Sequence, residues 1–158
     1  MNNSTNNRAI SSLNHIMELE LAGVVKYTHY ALMVYGYNRI PIVSWLKENA
    51  SESLAHAHKA GELVTMLGGH PSLRIGNLLE TEKHDIGDIL QESLEHETQA
   101  LSAYYDLLKI STGTHPETSG VQSVLLEEYA REMIVTEEMH LDEVNKMLRK
   151  PGELCVFK

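Results

Sequence analysis

The chain has 158 residues, 42% of them hydrophobic and 22% charged, which suits one globular domain over residues 1–158 that buries a core without disulfides. Its 22 Asp and Glu against 13 Lys and Arg give a formal net charge of -9, which argues against a nucleic-acid or anionic-membrane partner and suits attraction of cations. The single cysteine, Cys155, excludes an intramolecular disulfide framework and any multi-cysteine zinc or iron–sulfur site. Met1–Asn7 is polar and lacks the basic and apolar regions of a signal peptide. No apolar run is long enough to span a membrane. The expected compartment is a reducing cytoplasm.

Glycine and proline punctuate four long segments. The first, about 8–35, stops at Gly36 and carries Leu13, Met17, Glu20, Val24, Tyr27, Ala31 and Val34. The second, about 41–67, starts at Pro41, stops at Gly68-Gly69 and carries Ile42, Leu46, Asn49, Ser53, His56, Ala60, Leu63 and Leu67. Proline at a first turn and glycine beyond a last turn are helix start and stop signals. The stretch from Gly68 to Thr81 is long for a turn between antiparallel neighbours and has room for a short helix at Leu73–Leu79. The third segment, about 82–110, carries Ile86, Leu90, Leu94, Glu97, Leu101, Tyr104 and Leu108. The fourth, about 117–150, carries Leu126, Ala130, Met133, Glu137, His140, Val144 and Met147, and Pro151-Gly152 ends it. Steps of three or four place each set on one helix face. Period-2 alternation and hairpin turn pairs are lacking. The expectation is an all-α, ferritin-like four-helix bundle with one long crossover between the second and third helices.

Polar residues interrupt these apolar stripes. Glu20, His56, Glu97, Glu137 and His140 stand where apolar side chains belong. A buried carboxylate costs several kcal/mol even after relaxation, and three at one depth repel each other. A multivalent cation removes both penalties. Glu20 lies sixteen residues before Gly36 and His56 fifteen after Pro41, so the two meet side by side in an antiparallel pair. Glu137 and His140 form an E-x-x-H pair on one face, one turn apart. A faint repeat sets Tyr27 seven residues after Glu20 and Tyr104 seven after Glu97. Oxygen and imidazole donors without thiolate favour iron, manganese or zinc. Bridging carboxylates favour redox iron, with zinc and manganese still open. His15, His29, His58, His70, His84 and His115 read as surface or core residues without metal. Glu92 and His96 read as outer neighbours of Glu97 rather than as ligands.

From about Leu13 to Leu148 the sequence resembles the bacterioferritin branch of the ferritin-like family. The resemblance is carried by Leu13-Asn14-His15-Ile16-Met17-Glu18-Leu19-Glu20-Leu21-Ala22, by Tyr27, and by His56 through Leu67-Gly68-Gly69-His70-Pro71. It continues in Asp85-Ile86-Gly87-Asp88, Glu97, and the Glu137–His140 pair. It implies a ferroxidase that oxidises Fe2+ with O2 or H2O2 at a di-iron site, for storage or detoxification, in a homo-oligomer, with a cage and a smaller oligomer both left open. Glu20 and Glu97 would be terminal carboxylates, Glu137 a bridge, and His56 and His140 caps on one ion each. The family's second bridging Glu falls on Ser53, so Glu52, one residue earlier, is expected as its substitute. Leu54 falls where haem-binding members carry a methionine, so haem is not expected. The alternatives are a non-storage di-iron oxidase or peroxidase, rubrerythrin-like but without a rubredoxin domain, and a metal-free helical interaction module.

Overall fold

The computed structural model describes residues 3–112 and 121–154. They form four helices, α1 Asn3–Met33, α2 Arg39–Met66, α3 Ile86–Thr112 and α4 Val121–Leu148, with no strand among the described residues. α1 begins five residues earlier than its apolar stripe required. The expected start of α4, with His115 and Cys155, lies outside the described residues.

Both ends of α2 have a local cause. Gly68 has φ +76°, open to glycine without a Cβ penalty. Its N–H donates to Thr65 O, and Gly69 N–H donates to Val64 O, both at 2.9 Å. This double bond pattern satisfies the last carbonyls of α2. Pro41 sits in the first turn of α2, where a missing N–H leaves no helix bond unmade.

The helix directions follow from the side-chain pairs. Tyr30 meets Glu92, Tyr27 meets Glu97 and Tyr104 meets Glu20, so α1 and α3 run antiparallel. His56 on α2 reaches both Glu20 and Glu137, while Lys59 reaches Glu132 and Glu52 reaches His140, so α2 opposes α1 and α4. α2 and α3 are therefore parallel, which requires the long connection.

That connection contains no helix at Leu73–Leu79, contrary to the expectation from its length. It lies extended along α1. Ser72 N–H donates to Asn14 Oδ1 at 2.8 Å, and Gly76 N–H donates to Glu18 O at 2.7 Å. A Cβ at Gly76 would stand 3.2 Å from Glu18 O and 3.3 Å from Ala22 Cβ, so glycine permits the close approach. Leu73 and Leu79 point into solvent, so no apolar stripe folds the segment into a helix.

Two apolar clusters fill the bundle. One joins Leu13, Ile16, Ala60, Val64, Leu107 and Leu126. The other joins Tyr27, Tyr30, Val34, Leu46 and Ile89 towards the α1–α2 turn. Each fully buried aliphatic side chain contributes about 1.5–3 kcal/mol. The polar layer lies between the two clusters, and this sets its dielectric surroundings.

Candidate metal centre

Each helix contributes to one buried layer: Glu20 from α1, His56 from α2, Glu97 from α3, Glu137 and His140 from α4. Glu137 is 1% exposed, Glu20 3% and Glu97 5%. His56 Nδ1 lies 3.4 Å from Glu20 Oε1 and 3.3 Å from Glu137 Oε1. His140 Nδ1 lies 3.5 Å from Glu137 Oε2. Two groups of converging donors result, Glu20–His56–Glu137 and Glu97–Glu137–His140, with Glu137 common to both. Tyrosines hold the outer carboxylates. The Tyr104 hydroxyl donates to Glu20 Oε1 at 2.8 Å, and the Tyr27 hydroxyl donates to Glu97 Oε1.

The donor set fits a pair of metal ions. The imidazole–carboxylate separations of 3.3–3.5 Å exceed those of good charge-assisted hydrogen bonds. They match donors that share an ion at metal–ligand lengths of about 2.0–2.2 Å. Glu137 Oε2 is buried and accepts no hydrogen bond, an expensive omission for a carboxylate oxygen. A cation between Glu137, Glu97 and His140 would satisfy it.

Protons carry the compensating charge in the metal-free chain. Burial and the facing Glu137 push Glu97 well above the usual carboxylate range. Burial also raises Glu20, against the opposing pull of His56. Burial works against ionisation of Glu137 too, but His140 and His56 outweigh it and hold Glu137 down at about 2. Burial alone would lower His56, yet Glu137 and Glu20 at its Nδ1 take it up to about 10. Glu137 raises His140 in the same way. The His56 imidazolium, and the shift of Glu97 and His140 towards their protonated forms, thus occupy ground that a multivalent cation would hold.

A family model described as the ferritin-like domain matches residues 10–152. The chain belongs to the ferritin-like domain family. Among solved structures, this ferritin-like chain is similar to a ferritin-like, diiron-carboxylate protein from Bacillus anthracis str. Ames, with 21% identity, TM-score 0.83, and 94% and 100% of the two chains covered. It is similar to Rhodobacter capsulatus bacterioferritin, described with a metal-free dinuclear site and haem iron, with 20% identity, TM-score 0.78 and coverage of 90% and 84%. It is also similar to Desulfovibrio desulfuricans bacterioferritin, described for its diiron site, with 22% identity, TM-score 0.76 and coverage of 92% and 80%. No curated protein matches the chain in sequence.

Within this ferritin-like bundle, Glu52 and Ser53 stand apart from the shared groups. Glu52 is half exposed, with Oε2 3.2 Å from His140 Nε2, the ring nitrogen opposite the one that faces Glu137. It belongs to neither group of converging donors. Ser53 is buried and faces Gly23, where an added Cβ would lie 2.8 Å from Ser53 Oγ and 2.9 Å from His96 Nε2. Gly23 therefore opens space for both side chains. Burial, followed by Lys26, lowers His96 to about 4, so this ring is neutral at pH 7. Its burial beside the layer, at 3% exposure, was not legible from the helical spacing.

Proposed function

We propose that the chain is a ferroxidase of the bacterioferritin kind, which binds two Fe2+ inside the bundle and oxidises them for iron storage or detoxification in the cytoplasm. The observation that carries this reading is Glu137. Its two oxygens face His56 and His140 separately, it is almost fully buried, and Oε2 has no hydrogen-bond donor. Glu20 and His56 would hold one iron, Glu97 and His140 the other, and Glu137 would be shared. Such a pair supplies two electrons, one from each Fe2+, which O2 takes up with two protons to leave H2O2.

The remaining work falls to the chain. Metal binding displaces the proton of His56 Nδ1 and works against the upward shifts of Glu97 and His140, so these groups enter as carboxylate and neutral imidazole. Tyr104 and Tyr27 fix the orientation of Glu20 and Glu97. Glu52 accepts the Nε2 proton of His140 and keeps the Nδ1 lone pair turned inward, the usual task of a carboxylate behind a histidine ligand. This role replaces the bridging role expected of Glu52. Ser53 brings a hydroxyl where the resemblance implies a charge, so the pair would rest on three carboxylates. Leu54 offers no thioether for haem. The net charge of -9 favours cation capture. The whole chain would act as one ferritin-like domain, with iron, O2 or H2O2 and further copies of itself as partners.

Aerobic Fe2+ addition with the rate of Fe3+ formation followed by absorbance, together with native mass, tests the reading. Rapid oxidation abolished by Glu137→Ala, in a cage-sized assembly, supports a storage ferroxidase. Oxidation of the same rate in a small oligomer favours the non-storage oxidase, and oxidation no faster than in free solution contradicts both.

A further inference from the structure

Three side chains converge on the outer side of α1, away from the buried layer. His29 comes from α1, and Glu80 and His84 come from the end of the crossover. His29 lies nine residues beyond Glu20, about 13 Å along the axis at roughly 1.5 Å per residue, so the cluster is separate from the dinuclear centre.

We infer that His29, Glu80 and His84 form a second, mononuclear site for a divalent cation of the zinc or ferrous type, which ties the crossover to α1. His29 Nε2 stands 2.8 Å from Glu80 Oε2 and 3.3 Å from His84 Nε2, and His84 Nε2 stands 3.6 Å from Glu80 Oε1. Two ring nitrogens on one tetrahedral ion, each at about 2.0–2.1 Å, are roughly 3.3 Å apart. Hydrogen bonding uses this geometry poorly. His29 Nε2 has one proton at most, yet it faces both a carboxylate and a second Nε2. A cation takes the lone pairs of both nitrogens and the carboxylate charge together.

The loop is shaped to bring these donors together. Glu82 has φ 55°, a left-handed turn that costs a non-glycine residue about 1–2 kcal/mol. It folds the chain between Glu80 and His84. Glu80 Oε1 accepts the Glu82 N–H at 2.6 Å, which orients the carboxylate. Thr81 donates to Glu92 Oε1, and Glu92 Oε2 accepts the Tyr30 hydroxyl at 2.7 Å, so Glu92 anchors the loop. A cavity of about 200 Å3 lined by Lys26, His29, Glu80 and Glu92, but not by His84, adjoins the cluster. Two imidazoles and one carboxylate favour zinc-like or ferrous ions over Mg2+, which prefers an all-oxygen shell.

Zn2+ binding by equilibrium dialysis tests the inference without reference to iron oxidation. In Glu97→Ala/Glu137→Ala protein, where the buried centre is disabled, about one Zn2+ per chain should remain. Adding His29→Ala or His84→Ala should remove it, and Mg2+ should not replace it. In the otherwise unchanged chain, the same substitutions should lower the Zn2+ count by one, which reads the site even if the double variant fails to fold. Zn2+ at a hundred times Kd should also slow trypsin cleavage after Lys83, in the loop itself, by about a hundredfold, because only the closed loop binds it. A Zn2+ count indifferent to both histidine substitutions, or cleavage unchanged at saturating Zn2+, would overturn the inference.

Discussion

Tyr104 on α3 donates a 2.8 Å hydrogen bond to Glu20 on α1, and Tyr27 on α1 answers by donating to Glu97 on α3. Each tyrosine follows the glutamate of its own helix by seven residues and serves the glutamate of the other. Seven residues are two turns on one face, and the antiparallel pairing of α1 with α3 turns that interval into a crossed pair. The faint repeat in the sequence therefore has a structural purpose: both outer carboxylates are oriented in the same way.

Tyr104→Phe removes the donor and leaves Glu20 free to turn. The first ion should then bind about tenfold more weakly, in line with losses on removing a partner of a metal ligand. Anaerobic Fe2+ titration checks this, and an affinity equal to wild type would show that Tyr104 serves packing alone.

Metal binding should release protons. His56 is raised to about 10, so it carries a proton at pH 7 in the metal-free chain, and burial and Glu137 push Glu97 in the same direction. Their metal-bound forms carry none at the ligating atom, so affinity should climb with pH. One proton released per ion bound means about a tenfold gain per pH unit. Zn2+ titrations in buffers of different ionisation enthalpy measure the count, and a count of zero contradicts the assigned ligands.

The metal should stabilise the fold. A ligand bound only by the native state adds about 2.7 kcal/mol at a hundred times Kd, which raises Tm by roughly 5–11 °C for a chain of this size. The gain should shrink in Glu137→Ala. The metal-free chain should weaken on the alkaline side. His56 titrates near 6.5 when unfolded and about 10 when folded, so its contribution is complete below 6.5 and fades as pH rises towards 10. Calorimetry from pH 7 to 10, with and without Zn2+, measures both effects.

Glu52→Ala should slow Fe2+ oxidation by about 10- to 100-fold through loss of the His140 partner, whereas Glu48→Gln, one turn away and exposed, should leave it unchanged. Ser53→Glu adds a carboxylate beside Gly23 and His96 and should raise the rate by supplying a fourth charge. Equal rates in Glu52→Ala and wild type would make Glu52 a solvated flank residue.

The helices and the buried layer were legible because periodicity reports burial directly. Glu20, Glu97 and Glu137 occupy stripe positions, and helical rise set His56 beside Glu20 without knowledge of the fold. The role of Glu52 was not legible. Its distance from the stripe was clear, but which nitrogen of His140 it would face depends on side-chain rotation. The convergence of His29, Glu80 and His84 was not legible either. Glu80 and His84 lie in a crossover without regular period, and only its path along α1 brings them to His29. The same path explains the absent helix at Leu73–Leu79, since Gly76 follows the α1 backbone instead of coiling on itself.

The most direct test of the Glu137-centred site is anaerobic Fe2+ binding to wild type and to Glu137→Ala, each in a His29→Ala/His84→Ala background that silences the peripheral cluster. Two Fe2+ per chain are expected when Glu137 is present, and loss of both when it is replaced, because each ion loses its shared ligand. Two Fe2+ retained in Glu137→Ala, or none bound with Glu137 in place, would contradict this expectation.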